Sequence, residues 1–198
     1  MGRRWGRYLA YVVCAVAWLS GATEMAADGG AAPSSSAMCP ASDAADLSVP
    51  HVPHVRPVNE SIGAPLRVGI RRSRTLAELV DHIETLDGRV YLFAGSYRRL
   101  DRGLALRGGT SHQVTVTGSY RILKITVEPG MGDQTIATIG HELRHAIEIL
   151  EVPDAVDVRS VGKLYERIGF LVSPGVYETD AARRAEHQVF DDLKHCRF

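Results

Sequence analysis

The chain has 198 residues, 45% of them hydrophobic, which suits one domain with a real core and appended segments. Lysine plus arginine and aspartate plus glutamate balance at 23 each, so the overall charge does not indicate nucleic acid or an anionic membrane surface as a partner. We interpret the arginine-rich residues 71–74 as a solvated strand end rather than a binding patch.

The N-terminus has the pattern of an export signal. Its first seven residues carry three arginines, and an uncharged apolar run follows at residues 8–19. Small residues ending at Ala22 suit a cleavage site, and the apolar run is too short to span a bilayer comfortably. We predict a signal peptide at residues 1–22, a secreted or periplasmic protein, and no stable membrane span after cleavage. An uncleaved anchor is the alternative.

Residues 23–61 have the composition of a flexible linker. They are rich in alanine, proline and serine and contain few large apolar residues. Such a segment buries too little surface to offset the entropy of ordering it. His51 and His54 lie in this segment, and we interpret them as surface histidines rather than metal ligands.

Two cysteines, Cys39 and Cys196, remain once the signal is removed. In an oxidising compartment they can form one disulfide that joins the N-terminal tail to the last helix. Two free thiols are the alternative. The sequence contains no CxxC motif, so we do not expect cysteine as a metal ligand.

The folded domain is predicted to span residues 62–198 and to begin with a strand, a helix and a second strand. Apolar residues alternate at 66–70, as they do in a half-buried strand. A helix is predicted to open at Thr75, where Thr75 and Glu78 form a capping box. Residues 90–93 form the next predicted strand.

Two more strands and then three helices are predicted in the rest of the domain. The strands are predicted at 113–117 and 122–127, and the helices at 133–152, at 156–168 and from 177–179 onwards. Strands and helices are thus segregated along the chain, which is typical of an α+β fold. We predict a small, mostly antiparallel sheet with about four helices, packed on one face.

The helix at 133–152 carries the sequence His141-Glu142-Leu143-Arg144-His145. Histidines four residues apart lie on one helical face, one turn apart, so both imidazoles can bind a single metal ion. Glu142 is placed to take a proton from a zinc-activated water. The apolar stripe of this helix lies opposite, so we expect the histidines to face a second environment such as a cleft. We predict His141 and His145 as zinc ligands and Glu142 as the catalytic general base.

Zinc requires a third protein ligand, and the histidine of the extended HExxHxxGxxH motif is absent. Glu148 lies seven positions from His141, which is roughly 10 Å along the helix axis, so it is better placed to orient a histidine or a neighbouring residue. Glu178, predicted to open the last helix beside small alanines, is the preferred third ligand. The alternatives are Glu148, Glu151, Asp154, Asp157, Glu166, Asp180 and His187.

The motif resembles the gluzincin branch of the zincin metallopeptidases, because His141-Glu142-x-x-His145 is followed by a glutamate on a later helix, Glu178. Gluzincins typically show an ExxxD-like pattern around the third ligand, whereas here the acid is Asp180, too close to Glu178 to match. A wider part of the chain is similar to a group of short exported bacterial proteins of uncharacterised function. The similar segments are 140–149, 164–169 and 177–183, and this resemblance covers most of residues 75–194.

The gluzincin resemblance implies a zincin-like active-site helix, Zn2+ as cofactor and a peptide or protein as substrate. It also implies a strand along the rim of the cleft, at residues 122–127, to which an extended peptide adds as a further strand. A further donor should stabilise the oxyanion, and nothing in the sequence separates the candidates Tyr165, Tyr177 and His187 from core aromatics or a surface histidine. The implied function is an exported zinc-dependent hydrolase, a peptidase, with Glu142 as general base. The alternative is a non-catalytic exported zinc-binding domain that binds a peptide or a cell-envelope partner.

Overall fold

The computed structural model describes residues 53–96, 108–110, 113–130 and 132–195. The predicted signal peptide and most of the predicted linker, with His51, lie outside these residues. Both cysteines of the predicted disulfide, Cys39 and Cys196, also lie outside them. Those predictions therefore stay predictions.

Seven strands and five helices make up the described part of the chain, which confirms the α+β class. In order, they are β1 (Val55–Pro57), α1 (Glu60–Arg72), α2 (Arg74–Glu84), β2 (Gly88–Ala94), β3 (Gly108–Thr110), β4 (Thr115–Thr117), β5 (Tyr120–Val127), α3 (Asp133–Leu150), α4 (Val158–Ile168), β6 (Phe170–Ser173), β7 (Val176–Glu178) and α5 (Asp180–His195). β1 and the start of α1 lie within the residues expected to form the linker. None of these helices is both long and apolar enough to cross a membrane.

The five strands β1 to β5 form one sheet in the order β1-β2-β5-β3, with β4 also paired to β5. β1, β2 and β5 are parallel, whereas β3 and β4 run antiparallel to β5. The prediction of a mostly antiparallel sheet is therefore wrong, since the sheet is mixed and mostly parallel. The physical reason is the helical connection through α1 and α2, because parallel neighbours such as β1 and β2 need a long crossover between them.

The strand predicted at 66–70 is also wrong, because these residues lie inside α1. Ile62, Leu66 and Gly69 are buried along this helix at intervals of four and three residues, the spacing of one helical face. A short apolar run cannot by itself distinguish a strand from a helix segment. This extra helix raises the number of helices to five and supplies the crossover.

The junction between α1 and α2 falls at Ser73. Its side chain accepts a hydrogen bond from the backbone N–H of Leu76 across 3.1 Å, so Ser73 is the N-cap of α2. The capping box predicted at Thr75 and Glu78 is therefore wrong by two residues. The arginines of 71–74 lie at this junction between two helices rather than at a strand end.

β5 lies inside the sheet rather than at its rim. Its residues Leu123, Ile125 and Val127 are buried in alternation, and β5 pairs with β2 along its whole length on one side. On the other side it pairs with β3 at 125–127 and with β4 at 120–122. Residues 122–127 are therefore not the free edge strand predicted for peptide binding, since both sides of β5 already have partner strands.

The helix predicted at 133–152 is confirmed as α3, which contacts both β5 and α5. A side chain at Gly140 would place Cβ 2.7 Å from Cγ2 of Val189, so the absence of a side chain allows α5 to approach this closely. Arg121 of β5 is buried and donates hydrogen bonds to backbone carbonyls at the other end of α3, at Ile149 and Leu150. Both contacts fix the position of α3 in the core.

The helix predicted at 156–168 is confirmed as α4, but an antiparallel hairpin of β6 and β7 follows it and was not predicted. The hairpin occupies the stretch in which the last helix was expected to open. Glu178 is the final residue of β7, and α5 begins only at Asp180. The expected position of Glu178 at the start of a helix is thus corrected to the end of a strand.

Candidate metal centre

His141 and His145 lie one turn apart on α3, and both are fully buried. Their ring centroids are 4.9 Å apart with the ring planes at 73° to one another. Leu143 and Ile147 are also fully buried and hold the other side of α3 in the core, which sets the rotation of the helix. The expectation that the histidines face an open cleft is not met, because neither side chain is exposed.

Glu178 reaches the two histidines from the end of β7. Its Oε1 atom lies 3.5 Å from Nε2 of His141 and 3.4 Å from Nε2 of His145. One ligand atom from each of the three side chains lies within 4.8 Å of the other two, and all three residues are buried. The structure thus brings the three predicted ligand residues together. Together they form a candidate metal site of two imidazoles and one carboxylate.

The opposite ring nitrogens of the two histidines also face carboxylates. Nδ1 of His145 lies 2.9 Å from Oε2 of Glu148 in hydrogen-bond geometry. Nδ1 of His141 lies 3.4 Å from Oε2 of Glu186, close enough for an ion pair. Histidines that bind a metal commonly donate their other ring N–H to a carboxylate, which fixes the tautomer and the ring orientation. Both histidines therefore have the surroundings of metal ligands that bind through Nε2.

Glu148 has the role that its sequence position suggested, as an orienting partner for a histidine. Burial by itself favours protonation, but the hydrogen bond and charge of His145, the hydrogen bond from Thr179 and the charge of Arg144 outweigh it and lower the pKa of Glu148 from its usual value. The Thr179 hydroxyl donates to Oε1 of Glu148 across 2.8 Å. Glu148 is therefore a carboxylate, which favours the His145 tautomer that carries hydrogen on Nδ1.

Glu142 follows His141 on α3 and is fully buried. Thr110 of β3 donates its hydroxyl hydrogen to Oε2 of Glu142 across 2.8 Å. A Cβ at Gly108 would lie 2.7 Å from Oε1 of Glu142, so a glycine is needed for β3 to pass this close. Burial raises the pKa of Glu142 to about 7, although the charges of His141 and His145 and the Thr110 hydrogen bond oppose the shift.

The three residues considered as oxyanion donors have different surroundings. The Tyr165 hydroxyl is 3.3 Å from Nδ1 of His145 and donates to the His145 carbonyl oxygen, also at 3.3 Å. Tyr177 stacks on Tyr165 with ring centroids 6.2 Å apart. His187 is exposed on α5. Tyr165 therefore supports His145 from behind rather than from the metal side.

The remaining alternatives for the third ligand lie outside the candidate site. Each of them is an exposed residue: Glu151, Asp154, Asp157, Glu166, Asp180 and His187. Asp157 has a structural function instead, because it is the N-cap of α4 and forms a capping box with Ser160. Three residues that contact the site were not predicted: Thr110, Thr179 and Glu186. None of them belongs to a local motif, so spacing along the chain contains no signal for them.

The fit of a divalent cation can be tested on the polar atoms and charges that surround the site. Among the described residues, both ring nitrogens of His141 and Oε1 of Glu142 are buried without a hydrogen-bond partner. Buried polar atoms of this kind are costly unless something binds them. Four carboxylates surround the two histidines, and within the described residues Arg144 is the one arginine or lysine paired with them, 3.7 Å from Glu148. A dication would bind the Nε2 atom of His141, which has no hydrogen-bond partner in the described part of the chain, and would balance the excess negative charge of the carboxylates.

The chain has no significant match among models of protein families, among curated proteins or among solved structures. The assignment of a candidate metal centre therefore rests on geometry alone. That geometry consists of three converging buried side chains and two carboxylates behind the histidine rings.

Proposed function

We propose that this protein is an exported zinc-dependent hydrolase, a gluzincin-like peptidase, in which His141, His145 and Glu178 bind Zn2+ and Glu142 is the general base. The observation that carries the proposal is the convergence of the three buried ligand atoms within 4.8 Å. Two imidazole nitrogens and one carboxylate oxygen are a ligand set found in catalytic zinc sites, which keep a further position open. The export part of the proposal rests on the sequence of residues 1–22.

The chemistry of the zinc ion would be to lower the pKa of a water molecule and to polarise the substrate carbonyl. Glu142 follows His141 directly in sequence, and its Oε1 atom has no hydrogen-bond partner within the described structure. Thr110 holds the other oxygen, Oε2, so Oε1 is the atom that accepts the proton. In the metal-free fold burial raises the pKa of Glu142 to about 7, and the positive charge of a bound zinc ion would lower it.

A second candidate function is that of a non-catalytic exported zinc-binding domain that binds a peptide or a cell-envelope partner. The complete burial of His141, His145 and Glu142 supports this alternative, because a zinc ion used for stability needs no access for a substrate. Structural zinc sites usually have four protein ligands, whereas three converge here among the residues that the structure describes. The ligand count therefore favours the hydrolase.

The two functions can be separated by measuring zinc content and peptide hydrolysis on the same preparations. We expect the purified protein to bind one zinc ion and to cleave members of a broad peptide library. Glu142→Gln should retain zinc and lose at least about a hundredfold in hydrolysis, whereas His145→Ala should lose both. Glu166→Gln, an exposed glutamate on α4, is the matched control and should change neither.

Each outcome decides between the candidates. Stoichiometric zinc with no hydrolysis across the library would favour the non-catalytic zinc domain. A protein that binds no zinc when the metal is supplied would overturn both functions. Hydrolysis that survives Glu142→Gln would overturn the assigned general base while leaving the zinc site in place.

A further inference from the structure

A cavity of about 340 Å3 has none of the three candidate metal ligands in its wall. It is enclosed by the C-terminal half of α3, by α4 and by the start of α5. Glu148 and Thr179 form part of its wall, and Glu148 contacts Nδ1 of His145 rather than the Nε2 side. The cavity is therefore distinct from the space between the three candidate metal ligands. Its volume is at the lower end for small-molecule pockets.

Three arginines from three different helices line this cavity: Arg144 of α3, Arg167 of α4 and Arg184 of α5. Within the described residues, neither Arg167 nor Arg184 forms a hydrogen bond or an ion pair. The Nε atom of Arg144 is buried and likewise has no hydrogen-bond partner there. The cavity thus brings together three guanidinium groups that retain unused hydrogen-bond donors.

Three acidic residues line the cavity wall, Glu148, Glu151 and Asp180, and the first two have partners outside it. Glu148 is hydrogen-bonded to His145 and Thr179. Glu151 lies 3.5 Å from Nε2 of His82, on the side facing α2. Asp180 is in the first turn of α5, where the peptide dipoles of the helix favour a negative charge. Arg144 is therefore paired with Glu148 across 3.7 Å, whereas Arg167 and Arg184 have no carboxylate partner within the described residues.

We infer that this cavity binds a small ligand through an oxyanion group, a phosphate or a carboxylate. The planar fork of a guanidinium group matches two oxygens of either anion and forms charge-assisted hydrogen bonds with them. Apolar side chains of Val152, Leu164 and Ile168 complete the wall. This site does not depend on the proposed hydrolase, because none of its arginines is a candidate metal ligand or the general base.

The test is a calorimetric titration of the full chain with inorganic phosphate and, separately, with succinate. We expect saturable binding in at least one titration, and the anion that binds identifies the group as phosphate or carboxylate. Arg167→Gln and Arg184→Gln should each weaken binding roughly tenfold, the value of one charge-assisted hydrogen bond. Arg183→Gln is the matched control, because Arg183 is exposed on α5, next to Arg184, but lies outside the cavity wall.

Three results would overturn the inference. One is the absence of saturable binding of either anion by a chain whose circular dichroism shows it to be folded. Another is binding that neither Arg167→Gln nor Arg184→Gln weakens, as expected for an anion held at the metal centre. The third is equal weakening by Arg183→Gln, which would indicate diffuse surface charge. No hydrolysis is measured, so these results are independent of the proposed enzymatic function.

Discussion

The hydroxyl of Thr179 donates a hydrogen bond to Oε1 of Glu148 across 2.8 Å and so joins the residue before α5 to the C-terminal turn of α3. The same hydroxyl oxygen accepts the backbone N–H of Ala182 at 3.1 Å, and the backbone N–H of Thr179 donates to Oε1 of Glu178 at 2.8 Å. Glu148 in turn contacts His145. Thr179 therefore contacts the carboxylate of Glu178 directly and orients His145 through Glu148.

Replacement of Thr179 by valine should weaken zinc binding, because the shape of the side chain is kept while its hydroxyl is lost. Glu148 would lose one of its two buried partners, and the orientation of His145 would become less fixed. Loss of such an indirect contact typically costs about 10- to 100-fold in metal affinity. Competition with a chromogenic zinc chelator measures the effect. Thr179→Ser keeps the hydroxyl and should bind zinc nearly as tightly as the unchanged protein, so equal affinity in the valine and serine variants would contradict the prediction.

Glu186 should support His141 in the way that Glu148 supports His145. Its Oε2 atom is 3.4 Å from Nδ1 of His141, so a bound metal at Nε2 would leave an Nδ1 hydrogen directed at this carboxylate. We expect Glu186→Ala to lower zinc affinity about tenfold or more without unfolding the protein. The same chelator competition applies, with thermal unfolding as the check on the fold. An unchanged affinity would show that Glu186 is a neighbour of the site and not a support for it.

The ligand helix was predictable from the sequence because its signal is local. Four-residue spacing puts His141 and His145 on one face of any helix, and the apolar stripe of α3 identifies that helix. Glu178 was found by chemistry, as a carboxylate near small residues, even though its element was predicted as a helix and is a strand end. Glu178 could therefore be identified as a candidate ligand even though its secondary structure was predicted wrongly.

The parts that were missed depend on contacts between distant residues. Thr110 lies 32 residues before Glu142, and no periodicity connects β3 to the motif helix. The parallel sheet was missed because β1 lies within residues interpreted as a linker, and because a five-residue alternation at 66–70, inside α1, was interpreted as a strand. Burial on all sides of α3 was also unpredictable, because its polar face is covered by elements whose docking cannot be inferred from helical spacing.

Arg121 should be essential for stability, because it holds the C-terminal end of α3 against the sheet. Its guanidinium donates to the carbonyl oxygens of Ile149, Leu150 and Val152, and it forms an ion pair with Asp87. Arg121→Met would remove all three hydrogen bonds, although the Ile149 and Val152 oxygens each keep a backbone donor, and should lower the free energy of unfolding by about 3 kcal/mol. Urea denaturation measures the loss.

Arg74→Met is the control for that experiment. Arg74 forms an exposed ion pair with Glu78 on α2, and pairs of this kind contribute about 0.5 kcal/mol or less. We therefore expect the urea midpoint of Arg74→Met to stay close to that of the unchanged protein. Similar losses in both variants would show that the removal of any arginine destabilises the fold, and the anchoring role of Arg121 would then be unsupported.

Glu142 should make the metal-free protein less stable as the pH rises. Its pKa is about 7 in the fold, against 4.5 for a glutamate in its ordinary environment. The folded state therefore retains a proton that the unfolded state releases, and the stability associated with this group is complete below pH 4.5 and lost as the pH rises through 7. Glu142→Gln cannot ionise and can still accept the Thr110 hydrogen bond. In the presence of a chelator it should be more stable than the unchanged protein at pH 8, and the difference should shrink towards pH 5.

Glu166→Gln separates this effect from a general change in charge, because Glu166 is exposed on α4. Its stability relative to the unchanged protein should be the same at both pH values, as measured by urea denaturation in chelator. A stability gain of Glu142→Gln that is equal at pH 5 and pH 8 would mean that the Glu142 carboxyl is already ionised in the metal-free fold. In that case burial would not raise the pKa of Glu142 in the metal-free protein.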